Sequence, residues 1–154
     1  MKYQIDQSGK IEQTNRNTVI ACAGKVEMTI LLKKKEKRKL QQVFKQTDNL
    51  KVFPYLTFAA LLALLIKQLK PKEKIIIDKE YFGHEKLIQD KIETYLVELG
   101  KSFLPQIEFG HVGKLSDAHS LAYKVARGKI KPTLIVNSKE IMKIILGTKK
   151  IGNA

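Results

Sequence analysis

The stretch from Pro54 to Leu69 is apolar nearly all the way round a helical wheel. A helix with one apolar stripe can rest on a surface, but one that is apolar on every side must be covered by other elements. This segment therefore reads as a buried central helix around which the rest of the chain packs. Pro54 suits its first turn, and Pro71 ends it. The chain has 154 residues, 44% of them hydrophobic, enough for one domain with a core of its own. Its longest apolar run, Leu56 to Ile66, falls short of the roughly 20 residues that cross a bilayer. The N-terminus lacks the basic and apolar regions of a signal peptide. A soluble, cytoplasmic protein with no membrane partner is expected, and the oligomeric state is left open.

Strands are expected at residues 2–7, 18–23 and 26–32, joined by turns at Ser8-Gly9-Lys10 and Gly24-Lys25 into an antiparallel meander. In the third of these, Val26, Met28, Ile30 and Leu32 alternate. A helix follows at 33–46, with Leu40, Val43 and Phe44 on its apolar face. After the central helix come a strand at 74–79, a helix at 84–98, a strand at 105–110 and a helix at 116–127. A short strand at Leu134-Ile135-Val136 and a helix at 138–146 complete the order. Residues 1–146 read as a single domain and 147–154 as a flexible basic tail. Strands followed by alternating helices and strands indicate an α/β fold: three antiparallel strands continued by parallel ones in a mixed sheet, flanked by helices.

The chain carries 29 Lys and Arg against 15 Asp and Glu, a net charge of +14. Such an excess favours polyanion partners, RNA or DNA, although a Lys-rich surface can also carry charge with no partner. The first turns of the 33–46 helix concentrate it, with Lys33, Lys34, Lys35, Lys37, Arg38 and Lys39 opposed only by Glu36. Lys33, Lys34, Lys35 and Arg38 are candidate nucleic-acid contacts, together with Lys114, Lys124, Arg127 and Lys129. Tyr55, Tyr81 and Tyr123 could stack on bases, though packing is the simpler role for each. Cys22, the single cysteine, sits in an apolar run and reads as a small core residue. His84, His111 and His119 lack zinc-ligand spacing, and Gly110 to Ser116 lacks the spacing of a Walker motif.

Against this basic background, two short strands end in acids. Tyr3-Gln4-Ile5-Asp6 runs into Gln7-Ser8-Gly9, and Lys74-Ile75-Ile76-Ile77-Asp78 runs into Lys79-Glu80. Strand geometry puts Ile75 and Ile77 on one face and Ile76, Asp78 and Glu80 on the other. Carboxylates delivered to one place in a basic protein point to metal ions and phosphates. Phosphodiester hydrolysis needs a nucleophilic hydroxide and a stabilised leaving oxygen, which two divalent ions about 4 Å apart can provide. Hard ions such as Mg²⁺ take carboxylate oxygens, and without an ion the gathered acids repel. The simpler alternatives are a turn-forming Asp6 and a solvated Glu80 beside Lys79 or Lys74.

This order of elements, with acids tipping the first and fourth strands, resembles the ribonuclease H-like superfamily, which includes ribonuclease H, RuvC-type Holliday junction resolvases and DDE transposases. The resemblance covers about residues 1–128. Asp6-Gln7-Ser8-Gly9 is similar to the first-strand Asp-Gly-Ser stretch of ribonuclease H. That likeness implies that Asp6 is the first metal ligand and Asp78 the fourth-strand acid, with Glu80 a nearby substitute. The helix beginning Ser116-Asp117-Ala118-His119 is similar to the last helix of these nucleases and implies a third ligand from Asp117, while His119 lies closer to the expected register. Residues 117 and 119 stand about 200° apart on an ideal helix, so a regular helix cannot give both to one metal. Ser116 or Asp117 is alternatively a helix cap. The central helix lacks the acid that ribonuclease H carries there, so a RuvC-like arrangement is the closer likeness. The resemblance implies a metal-dependent nuclease acting on structured RNA or DNA. Mg²⁺ or Mn²⁺ would sit at Asp6, Asp78 and Asp117, with Glu80 and His119 as further catalytic candidates. One alternative is a non-catalytic nucleic-acid-binding module of the same fold. Another is a structural protein whose charge is incidental.

Overall fold

A computed structural model describes residues 3–101, 104–113 and 116–152. Its strands are β1 (Tyr3–Ser8), β2 (Thr18–Gly24), β3 (Met28–Leu32), β4 (Ile75–Asp78), β5 (Ile107–Gly110) and β6 (Leu134–Val136). Its helices are α1 (Lys34–Gln46), α2 (Phe53–Leu69), α3 (Glu85–Glu98), α4 (Asp117–Ala126) and α5 (Ser138–Gly152). The strands form one mixed sheet in the order β5-β4-β1-β2-β3-β6. β1, β2 and β3 are the antiparallel meander, while β4, β5 and β6 each join parallel to a neighbour. β6 completes the far edge beside β3.

Period-2 alternation sorts side chains between the two faces of the sheet. Ile5, Ile20, Cys22, Ile30, Ile75 and Ile77 enter the larger core, which they share with α2 and the inner sides of α1, α3 and α5. Burial pushes the Cys22 thiol up to about 12, as for an inert core residue. Val19, Ala21 and Leu31 point the other way, under Leu121, Ala122 and Val125 of α4.

α2 is the buried helix its composition demands, closed from Phe58 through Ala63. With the preceding 3₁₀ turn it runs from Leu50 to Leu69, which by length and composition alone would suffice to cross a membrane, contrary to the length argument from sequence. Its most apolar window is 61% buried inside the fold, as expected of the core helix of a soluble domain. At the C-terminus, α5 breaks at Gly147 (φ 77, ψ 153), and helical backbone then resumes as far as Gly152. The expected flexible tail over 147–154 thus includes helical backbone up to Gly152, and Asn153 and Ala154 lie outside the described residues.

Residues 9–17 connect β1 to β2. Gly9 sits at φ +79, and a Cβ there would lie 2.2 Å from the Asn17 carbonyl oxygen, so the connection requires glycine. Lys37 of α1 holds the same connection from beneath. Its ammonium is fully buried and donates to Lys10 O (3.0 Å), Gln13 O (2.6 Å) and Thr18 Oγ1 (2.9 Å). Three acceptors match the three hydrogens of the ammonium. Burial lowers its pKa from 10.5 to about 8, against the opposing charge of Glu12. Lys37 is therefore no part of the basic surface that the sequence groups it with.

Candidate metal centre and nucleic-acid interface

The pairing directions place the C-terminal ends of β1, β3, β4, β5 and β6 at one edge of the sheet, the edge at which open α/β sheets usually hold their ligands. The register Ile5↔Ile77 sets Asp6 beside Asp78 on neighbouring parallel strands, and Glu80 follows two residues later. One carboxylate oxygen from each of Asp6, Asp78 and Glu80 lies within 4.8 Å of the others. Asp6 is 5% exposed. Its Oδ1 accepts from the Gln7 backbone N–H at 2.8 Å, and its Oδ2 lies 2.9 Å from His119 Nδ1. Asp78 Oδ1 accepts from the Val112 N–H at 2.9 Å, tying the segment after β5 to the same spot. Burial, and then the charges of Asp6 and Asp78, push the Glu80 carboxyl up to about 8. Among the described residues, no Lys or Arg forms an ion pair with any of the three acids. They line a cleft of about 400 Å³ with Phe82, His111 and His119.

Asp117 does not join them. It is exposed on the first turn of α4, and the expectation that it supplies the third ligand is corrected. Ser116 is the N-cap, its Oγ accepting from the His119 N–H at 3.0 Å. Packing of Leu121, Ala122 and Val125 on the sheet orients the helix so that the His119 imidazole reaches Asp6. His119 therefore occupies the place for which the sequence offers both.

Phe82 escapes the sequence reading. It lines the cleft and is 75% exposed, and its only signal is an aromatic just after the acid-tipped strand. The expected tyrosines divide. Tyr81 is buried, and its hydroxyl accepts from the Ile11 N–H at 3.0 Å. Tyr55 stacks on His84 at 3.9 Å. Tyr123 is 46% exposed and carries the Arg127 guanidinium over its ring at 5.1 Å.

Lys33, Lys34, Lys35 and Arg38 are exposed where α1 leaves the end of β3, on the same edge of the sheet as the acids. Cations at a helix N-terminus oppose the macrodipole by about 0.3–1 kcal/mol each at low ionic strength. This start of α1 is thus an electrostatically costly place for them, and a bound polyanion would relieve it. The Asn17 Oδ1 accepts from the Lys34 N–H at 2.8 Å, and Arg38 Nη1 donates to Thr14 O at 3.2 Å. Lys124, Arg127 and Lys129 are exposed toward the other end of α4. Lys114 lies outside the described residues.

The donor set suits a hard divalent cation: three clustered carboxylate oxygens, in a cleft that Lys79 also lines without forming an ion pair to them among the described residues. Gln7 lines the cleft, and its Oε1 has no hydrogen-bond partner among the described residues. Comparison with models of protein families, with curated proteins and with solved structures finds no match to this chain.

Proposed function

We propose that the protein is a metal-dependent nuclease of ribonuclease H-like type, hydrolysing phosphodiester bonds in structured RNA or DNA. The observation that carries this reading is the meeting of Asp6, Asp78 and Glu80 where β1 and β4 end side by side in a mixed sheet, in a cleft on a protein of net charge +14. Asp6, Asp78 and Glu80 would hold Mg²⁺ or Mn²⁺. Such an ion supplies charge stabilisation at the phosphoryl oxygens and a more acidic bound water. The Gln7 N–H and His119 fix the Asp6 carboxylate in place, and the Val112 N–H does the same for Asp78. Glu80 would have to give up its proton to serve as a ligand. The basic residues at the start of α1 and the end of α4 hold the strand by its phosphates. A cytoplasmic setting belongs to this reading.

A second reading, a binding module without chemistry, is favoured by two observations: α2 carries no acid, and Asp117 is exposed and outside the acid cluster. A panel of labelled hairpins, RNA–DNA hybrids and four-way junctions separates them. Cleavage with Mg²⁺ or Mn²⁺, binding without cleavage in Ca²⁺, and loss of cleavage in Asp6→Asn are expected of the nuclease. Binding with no cleavage under any ion, or equal cleavage by Asp6→Asn, leaves the module as the better account.

A further inference from the structure

We infer that Arg16 and Arg127 form a phosphate-binding subsite beside the acid cleft, taking a neighbouring phosphate of the same nucleic-acid strand. The inference deepens the proposed function and rests on it for the identity of the ligand. A second cleft, of about 300 Å³, is lined by Ser8, Arg16, Asn17, Tyr123 and Arg127. Each of its polar side chains carries a hydrogen-bond donor, and Ala126 completes the lining. Neither arginine enters an ion pair among the described residues. The Asn17 carbonyl oxygen of the side chain is turned to α1, where it accepts from Lys34. Its amide hydrogens, like the Ser8 hydroxyl, have no partner among the described residues. Two guanidinium groups, an amide and a hydroxyl with no carboxylate between them select an oxyanion, and paired arginines match the geometry of phosphate. The Tyr123 ring beneath Arg127 holds one guanidinium plane in position.

The position of this cleft links it to the acids. Ser8 is two residues beyond Asp6 on β1, so it projects to the same face about 7 Å further along the strand. His119 and Tyr123 on α4 and Arg127 at its C-cap recur at i, i+4 and i+8 and form one stripe. The stripe covers about 12 Å of helix, from the imidazole on Asp6 to the arginine of the second cleft. A strand laid along it meets the acids at one phosphate and the arginines at another.

The test measures binding of a labelled single-stranded oligonucleotide and a labelled hairpin across a salt series in Ca²⁺, with cleavage in Mg²⁺ assayed separately. Arg16→Gln/Arg127→Gln should weaken binding about tenfold or more. It should also flatten the slope of log affinity against log salt by about 0.7 per phosphate released on the single strand and about 0.9 on duplex. Both side chains are exposed, so the melting temperature should hold, and each single Gln variant should show about half the change. Arg16→Lys/Arg127→Lys should keep the slope. A wild-type slope in the double Gln variant overturns the subsite even if Asp6-dependent cleavage stands. If instead the slope flattens but Asp6→Asn cuts like wild type, the metal-site reading falls and the subsite survives. If the wild type binds neither probe, both are overturned.

Discussion

Glu80 carries the clearest single-residue consequence. Its folded pKa of about 8 stands above its ordinary value of 4.5, so between these values the folded protein holds a proton that the unfolded chain releases. The stability that this carboxyl contributes in metal-free buffer is therefore full below about 4.5 and is lost as pH rises through about 8. Melting temperatures in EDTA across this range should decline for wild type and much less for Glu80→Gln. Because an incoming cation displaces the same proton, Mn²⁺ affinity measured by titration calorimetry should climb over the same interval. Lys37 makes the opposite point about charge. Lys37→Met leaves Lys10 O, Gln13 O and Thr18 Oγ1 without their donor, and should cost about 2–4 kcal/mol by urea denaturation while leaving the salt slope of nucleic-acid binding unchanged. The burial of Lys37 is legible in part: it precedes Leu40 by three residues and Phe44 by seven, on the apolar stripe of α1. A lysine in a run of lysines reads as surface charge, however, because the three oxygens that receive it lie in a distant connection. His119 over Asp117 is equally undecidable from local sequence, because the rotation of α4 follows from the packing of Leu121, Ala122 and Val125 on the sheet.

At the level of elements, α2 is the most legible part of the chain. All-round apolarity leaves a helix nowhere to go but the centre, and Leu61→Ala should cost about 2–5 kcal/mol in chemical denaturation. The same helix contains one flaw that its sequence does not announce. Thr57 is fully buried, and its Oγ1 has no partner among the described residues. Thr57→Val removes an unsatisfied hydroxyl at nearly constant volume and should stabilise by about 1 kcal/mol; a lower denaturation midpoint would mean that the hydroxyl has a partner after all. The acid-tipped strands are legible because alternation needs only local sequence. β6 is legible as a strand, but its place beside β3 depends on a crossover that no local pattern encodes. Phe82 shows the converse failure: its exposure is a property of the turn that carries it.

For the whole molecule, the net charge of +14 is unevenly placed, with basic ends of α1 and α4 around an acidic cleft at one edge of the sheet. Replacing Lys34, Lys35 and Arg38 with Gln should flatten the salt slope of duplex binding by about 0.9 for each phosphate that the variant no longer holds, read by anisotropy. An unchanged slope would mean that this end of α1 points away from the strand. One feature of the sheet reaches beyond equilibrium behaviour. β1 meets β4 through the pairs Tyr3↔Ile75 to Ile5↔Ile77, so the first strand made must wait for one encoded some seventy residues later. Local hairpins close quickly, whereas a parallel pair across so long a loop is slow. The three acids remain strangers in the nascent chain and meet only when β4 docks. Their mutual repulsion therefore weighs on the late assembly step and spares the early meander, and a divalent ion that quenches it would act as a folding accelerant as well as a ligand.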